Sequence, residues 1–133
     1  MAARWSSWLR WSWARCRPSA HPSGPPALAG DMVYVGGVLG TVQGKSELVP
    51  GGIKAEARQA FVHVKNILEG AGTSLDRTVK CVVLLSNIDD FPAMNEVFRE
   101  VFPEAPPTRS TIIVPKIPMN AAFEVECNAL ARD

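Results

Sequence analysis

Residues 78–85 read Thr-Val-Lys-Cys-Val-Val-Leu-Leu. The run is too short for a stable helix and rich in β-branched residues, so it predicts a strand. Its weak alternation of polar and apolar residues predicts coverage on both faces, deep in a sheet. Upstream, Ile53, Ala57, Ala60, Phe61, Val64, Ile67 and Leu68 recur at helical spacing, with Lys54, Arg58, Lys65 and Glu69 opposite and Gly70 as a stop signal. Downstream, Asp90 is a good N-cap for a second amphipathic stripe of Met94, Val97, Phe98 and Val101, which Pro103 ends. Met32–Val35, bounded by Gly30-Asp31 and Gly36-Gly37, predicts another strand, with the glycine pair marking a bulge or a close backbone approach.

At the C-terminal end, Thr108–Val114 predicts a strand, Pro115-Lys116-Ile117-Pro118 a turn, and Ala121–Leu130 a last strand. In that last strand Phe123, Val125 and Cys127 alternate with Glu124, Glu126 and Asn128. Read as a hairpin centred on Lys116 and Ile117, the two strands would set Arg109 opposite Glu124. The order strand, helix, strand, helix, strand, strand predicts an α+β fold, a mixed sheet with two helices packed on one face in a single domain. The bare face then needs a cover, which a homo-oligomer would provide.

Composition narrows the function. The 133 residues carry a net charge of +1 and are 47% hydrophobic and 20% charged, which fits an ordered globular chain. The charge is unevenly spread. Residues 1–30 hold four Arg, all four Trp and no acid, whereas the remainder has ten basic and thirteen acidic residues, a net charge of −3. A mildly acidic domain is poorly suited to phosphate backbones, so nucleic acid is not the indicated partner. Residues 1–30 form an atypical Trp/Arg/Pro-rich segment, expected to precede a domain of residues 31–133. Its composition suits a mitochondrial transit peptide; a variant first exon, a misassigned start or an uncharacterised tail are the alternatives. Cytosol and mitochondrion are both open as compartments.

No apolar run long enough to span a bilayer occurs. Cys16, Cys81 and Cys127 are too widely spaced for a disulfide framework or a metal site, so reduced thiols are expected, with Cys81 and Cys127 as inert core residues. His63 lies on the flank of the first helix and reads as an ordinary side chain.

The stretch richest in chemical implication is Pro106-Pro107-Thr108-Arg109-Ser110-Thr111, followed by Phe123-Glu124-Val125-Glu126. With Gly30–Gly37, the Ala57-Arg58-Gln59-Ala60 helix, and Val79–Leu85 leading into Asp89-Asp90-Phe91, these blocks in order resemble the RidA (YjgF) family of imine deaminases across nearly all of residues 30–130. The resemblance implies a chorismate-mutase-like fold assembled as a homotrimer. Its intersubunit clefts would hydrolyse 2-iminobutanoate and 2-iminopropanoate to 2-keto acids and ammonia. It places Arg109 on the substrate carboxylate, Glu124 on the attacking water, and Gly37, preceded by Gly36, where backbone approaches substrate. The chemistry suits the residues: a guanidinium offers a carboxylate two parallel donors, and a carboxylate can take a proton from attacking water. No cofactor or metal is implied, because a protonated imine is already electrophilic.

The chain also departs from the family pattern. Gly24-Pro25-Pro26 replaces the usual Gly-Pro-Tyr-Ser, removing a site Tyr for which Tyr34, in strand context, is no substitute. Too few residues precede Gly30 to supply the usual first strand. Gly36 stands where Ser is frequent and Val38 where Gln is usual. Two alternatives follow: a trimer that binds small carboxylates with little or no turnover, and the endoribonuclease or translation-inhibitor role attached to some relatives. Arg109 and Glu124 also admit a plainer account, as a cross-strand ion pair.

Overall fold

A computed structural model describes residues 24–132. The Trp/Arg segment of residues 1–23, with Cys16 and His21, lies outside them. In chain order the elements are β1 (Ala27–Ala29), β2 (Met32–Leu39), α1 (Gly52–Gly70), β3 (Thr78–Leu85), α2 (Phe91–Val101), β4 (Thr108–Ile113) and β5 (Phe123–Leu130). The sheet runs β1-β2-β5-β3-β4, with β3 and β4 parallel and every other pair antiparallel. Both helices pack on one face, so the expected mixed α+β architecture is the observed one.

The expected C-terminal hairpin is not formed. β4 pairs with β3, Arg109 standing beside Cys81, while β5 lies on the far side of β3. Two causes are visible. The helix α2 between β3 and β4 makes a strand-helix-strand unit, whose strands run parallel and adjacent. The segment after β4 then crosses the end of the sheet instead of reversing tightly. Val114 N–H donates to Leu85 O at 2.9 Å, and Met119 and Asn120 take left-handed φ values of 63° and 54° before β5 begins. A first strand exists after all: Ala27–Ala29 folds back on Met32–Tyr34 through the Gly30-Asp31 turn.

The core lies between the sheet and the helices. Val33, Val35 and Val38 of β2, Val83 and Leu85 of β3, and Phe123, Val125 and Ala129 of β5 meet Phe61, Val64 and Leu68 of α1 and Met94 and Val97 of α2. Phe61 sits at its centre, its ring 5.7 to 5.9 Å from those of Phe98, Phe102 and Phe123. β3 is interior, as expected, but only its Cys81, Val83 and Leu85 side is fully buried; Val82 and Leu84 are half-buried on a sheet face that no helix covers. Across the helices' outer surface Lys54 pairs with Glu96 and Arg58 with Glu100, so charges expected simply to face solvent make exposed ion pairs between α1 and α2.

Three further expectations are corrected. Cys81 and Cys127 form a disulfide, against the reading as reduced thiols. Although far apart in sequence, they are direct partners across the antiparallel β3/β5 ladder, with Cα atoms 4.2 Å apart, the spacing of a narrow cross-strand pair. Asp90 occupies the N-cap of α2 without a side-chain cap bond; Asn87 does the capping one turn earlier, accepting from Asp89 N–H at 2.9 Å. His63 is buried, and its Nε2–H donates to Thr41 O at 2.7 Å, tying the loop after β2 to α1.

That loop begins at Gly40, where strand and helix touch backbone to backbone. A Cβ at Gly40 would lie 2.5 Å from Glu56 Cα and 2.7 Å from Glu56 C, and neither atom can swing aside. Gly40→Ala is therefore expected to lower unfolding stability by about 3 kcal/mol, the upper part of the range for overpacking. Gly70→Ala, at the end of α1 with open space around it, should be neutral or slightly stabilising. Urea unfolding midpoints of the two variants check the contrast, and equal midpoints would contradict it.

Candidate functional site

Strand alternation decides which candidates can meet. Along β5, Phe123, Val125, Cys127 and Ala129 turn to the helices, so Glu124, Glu126 and Asn128 turn to the open face. β2 carries its bulge where the glycine pair predicts one: Val35 pairs with Cys127 and Val38 with Val125, leaving Gly36 and Gly37 together opposite Glu126. The bulge brings the β2 backbone against the Glu124 carboxylate. A Cβ on Gly37 would overlap Glu124 Oε1 and lie 3.0 Å from its Cδ, so only glycine leaves room for the carboxylate in this position.

Around this contact a shallow depression of about 200 Å³ opens, lined by Gly37, Val82, Leu84, Ile112, Glu124 and Glu126. Leu84 is the cross-strand partner of both Glu124 and Ile112, so the three form a row across β5, β3 and β4. Burial pushes the Glu124 carboxyl above the ordinary carboxylate range, and the negative charge of Glu126 adds to the effect. A carboxyl so placed is poised to exchange protons. Tyr34 shares this face and stays 43% exposed, but it pairs with Asn128, four residues beyond Glu124 and so about 13 Å along the strand. It does not replace the missing tyrosine.

Arg109 lies elsewhere. As the partner of Cys81 it faces the helix side at the β4 edge, beside α2. Its guanidinium carbon sits 4.5 Å from the centre of the Phe98 ring and 5.7 Å from that of Phe91, and Nη1 is 3.8 Å from Met94 Sδ. The guanidinium thus lies over an aromatic platform, within cation–π range of both rings, and Arg109 remains half-buried. Partial burial draws its pKa below the ordinary arginine value, and the positive charge of Arg99 acts in the same direction. None of the salt bridges among the described residues includes Arg109.

Gly37 and Glu124 are therefore together, with Gly36 on the same bulge, while Arg109 is on the opposite face and separated from β5 by β3. The cross-strand ion pair between Arg109 and Glu124 does not exist in the protomer. The aromatic platform under Arg109 and the Val82, Leu84 and Ile112 wall beside Glu124 were not anticipated. Phe98 belongs to the apolar stripe of α2 and reads in sequence as core alone; the wall becomes visible only once the parallel β3/β4 pairing is known. Among the described residues there is no group of His, Cys, Asp and Glu that could hold a metal ion, and no helix is long and apolar enough to cross a membrane.

Comparison with known proteins agrees with this architecture. Residues 17–131 match the family described as endoribonuclease L-PSP. A protein of Dermatophagoides farinae named 2-iminobutanoate/2-iminopropanoate deaminase is 39% identical over 108 residues, covering 79% of this chain and 84% of its own. The crystal structure of yeast Mmf1 superposes with a TM-score of 0.80 at 32% identity, covering 88% of this chain and 93% of that one. That of E. coli TdcF with bound serine gives 0.78 at 27%, covering 89% and 94%. The chain belongs to the endoribonuclease L-PSP family, that of RidA and YjgF.

Proposed function

We propose that this protein hydrolyses 2-imino acids, 2-iminobutanoate and 2-iminopropanoate, to 2-keto acids and ammonia, in clefts between the protomers of a homotrimer. The observation that carries the reading is the placement of two poised groups on opposite faces of one sheet. A stacked guanidinium without an acid partner and an elevated carboxyl beside a backbone glycine cannot meet within one protomer. In a cyclic trimer a face of one copy meets a different face of the next, so each cleft can take Arg109 from one protomer and Glu124 from its neighbour. The same assembly would cover Ile112, which stays exposed in the protomer, and complete the burial of Leu84, which packs there against the small cluster of Leu39, Ile117 and Ala121.

In such a cleft Arg109 grips the carboxylate of the imino acid through two charge-assisted hydrogen bonds, each worth about 1.5 to 3 kcal/mol. The substrate's short aliphatic chain fits the Val82, Leu84 and Ile112 wall. Glu124 takes a proton from water as the water oxygen bonds to the protonated imine carbon, giving a carbinolamine. Returning that proton to the amino nitrogen lets the C–N bond break while the hydroxyl oxygen forms the C=O bond; ammonia leaves, the hydroxyl proton passes to Glu124 and from there to water, and the keto acid remains. Relatives named as imine deaminases and a related protein with serine bound support the substrate class, small amino-acid-derived carboxylates. The open face carries Glu124 and Glu126 in place of a basic stripe, which favours this reading over the RNA cleavage in the family's name.

Ammonia release from 2-iminobutanoate generated in situ is the direct assay. Arg109→Ala should lower kcat/KM at least about 100-fold with the trimer intact; unchanged turnover would remove Arg109 from the site. Glu124→Gln should lower kcat by about 10² to 10⁴ while substrate affinity largely persists.

Mixing supplies a sharper test. When the two inactive variants are unfolded and refolded together, random trimers restore about a quarter of the clefts, those pairing an intact Arg109 with an intact Glu124. If both residues of each site came from one chain, no activity would return.

The acid limb of the kcat profile should lie above the ordinary carboxylate range, because turnover needs ionised Glu124 and its pKa is raised. Removing the neighbouring charge in Glu126→Gln lowers that pKa, so the limb should move to lower pH; a shift upward would contradict the assignment.

A further inference from the structure

We propose that Glu56 is a positioning residue for the Glu124 site, a proposal that rests on the deaminase reading. Glu56 is a carboxyl-bearing residue only 7% exposed, on the side of α1 facing the sheet end, and no step above uses it. Its Oε2 accepts the backbone N–H of Ala122 at 2.8 Å. Ala122 precedes β5 and stands two residues before Glu124, and its carbonyl accepts from Ser86 N–H at 3.4 Å, just past the end of β3. The peptide that leads into Glu124 is thus held on one side by α1 and on the other by the end of β3.

The same residue's backbone is what Gly40 rests against, one position after Leu39, the cross-strand partner of Glu124. One turn of α1 therefore fixes two chain segments at once. The side chain of Glu56 holds the start of β5, which carries Glu124, and its backbone holds the end of β2, which carries Gly37. The gap between Gly37 and the Glu124 carboxylate is the site's tightest dimension, and both of its walls are referenced to Glu56. A buried carboxyl contributes little here that an apolar side chain could not supply by packing, unless its hydrogen bond sets the position of the strand.

The test compares Glu56→Ala, Glu56→Met and Glu56→Gln, with Ala122 amide exchange and Glu124 amide resonances read by NMR beside the kinetics. Glu56→Ala should lower kcat by about 10- to 100-fold, as expected for small displacements of a reacting group, with KM within about twofold. Ala122 exchange should speed up and the Glu124 resonance move. Glu56→Gln keeps an acceptor oxygen and should return kcat to within about twofold of the native protein, whereas Glu56→Met, which keeps the volume without the acceptor, should behave like Glu56→Ala. If Glu56→Ala does not fold, Glu56→Met decides. Native kcat in Glu56→Met, or a Gln variant as impaired as the Met variant, would overturn the proposal. Absence of imine hydrolysis in the native protein would instead refute the deaminase reading. The amide measurements would then decide here: unmoved Ala122 and Glu124 signals in Glu56→Met overturn the clamp, and displaced ones uphold it.

Discussion

A β-strand offers successive side chains to opposite faces, and everything particular to this protein follows from where that alternation falls on β4 and β5. β4 takes its register from Cys81 and presents Arg109 beside α2. β5 takes its register from the core residues Phe123, Val125 and Cys127 and so presents Glu124 to the open side. The hydrophobic core specifies the register of β5, since a one-residue slip would carry Phe123, Val125 and Cys127 out of it, whereas β4, none of whose residues is fully buried, takes its register from its pairing with β3. The separation of the guanidinium from the carboxylate is therefore a by-product of stable packing, and a site that uses both has to be completed by a second copy.

Much of this was legible in the sequence. The helical spacing of Ile53–Leu68 and of Met94–Val101, the alternation after Phe123 and the glycine pair at residues 36 and 37 each correspond to an observed feature. They were readable because each is local: a period or a pair of small residues that one segment imposes by itself. What was misread was long-range. Pro115–Pro118 reads in sequence as a tight turn, but β4 pairs in parallel with β3 across the α2 connection, and β5 is inserted between β2 and β3. The Cys81–Cys127 disulfide is invisible in sequence for a related reason, because the contact is set by strand register and spacing in sequence carries no trace of it.

The candidate site was legible in its members and not in its geometry. Gly37 and Glu124 touch as their types suggest, one lacking the Cβ that would fill the other's place. Arg109 stands out in sequence by its motif, yet its position depends on Phe91, Met94 and Phe98, of which Met94 and Phe98 belong to a stripe that signals burial and nothing more. The departures from the family pattern keep their meaning: Gly36 brings no hydroxyl to the bulge, and Tyr34 lies too far along β2 to stand in for the missing tyrosine. The charged groups beside the bulge are the two carboxylates Glu124 and Glu126, with Arg109 on the other face of the sheet.

The bulge at Gly36 and Gly37 has a bearing on how such a protein could change over time. Losing one of the two glycines would restore plain alternation between Val35 and Val38, with both valines still turned toward α1, so the protomer's packing does not require the extra residue. The irregularity accommodates the Glu124 carboxylate and is not demanded by the sheet. A single in-frame codon deletion would then leave the protomer's architecture standing while removing the contact between Gly37 and the Glu124 carboxylate.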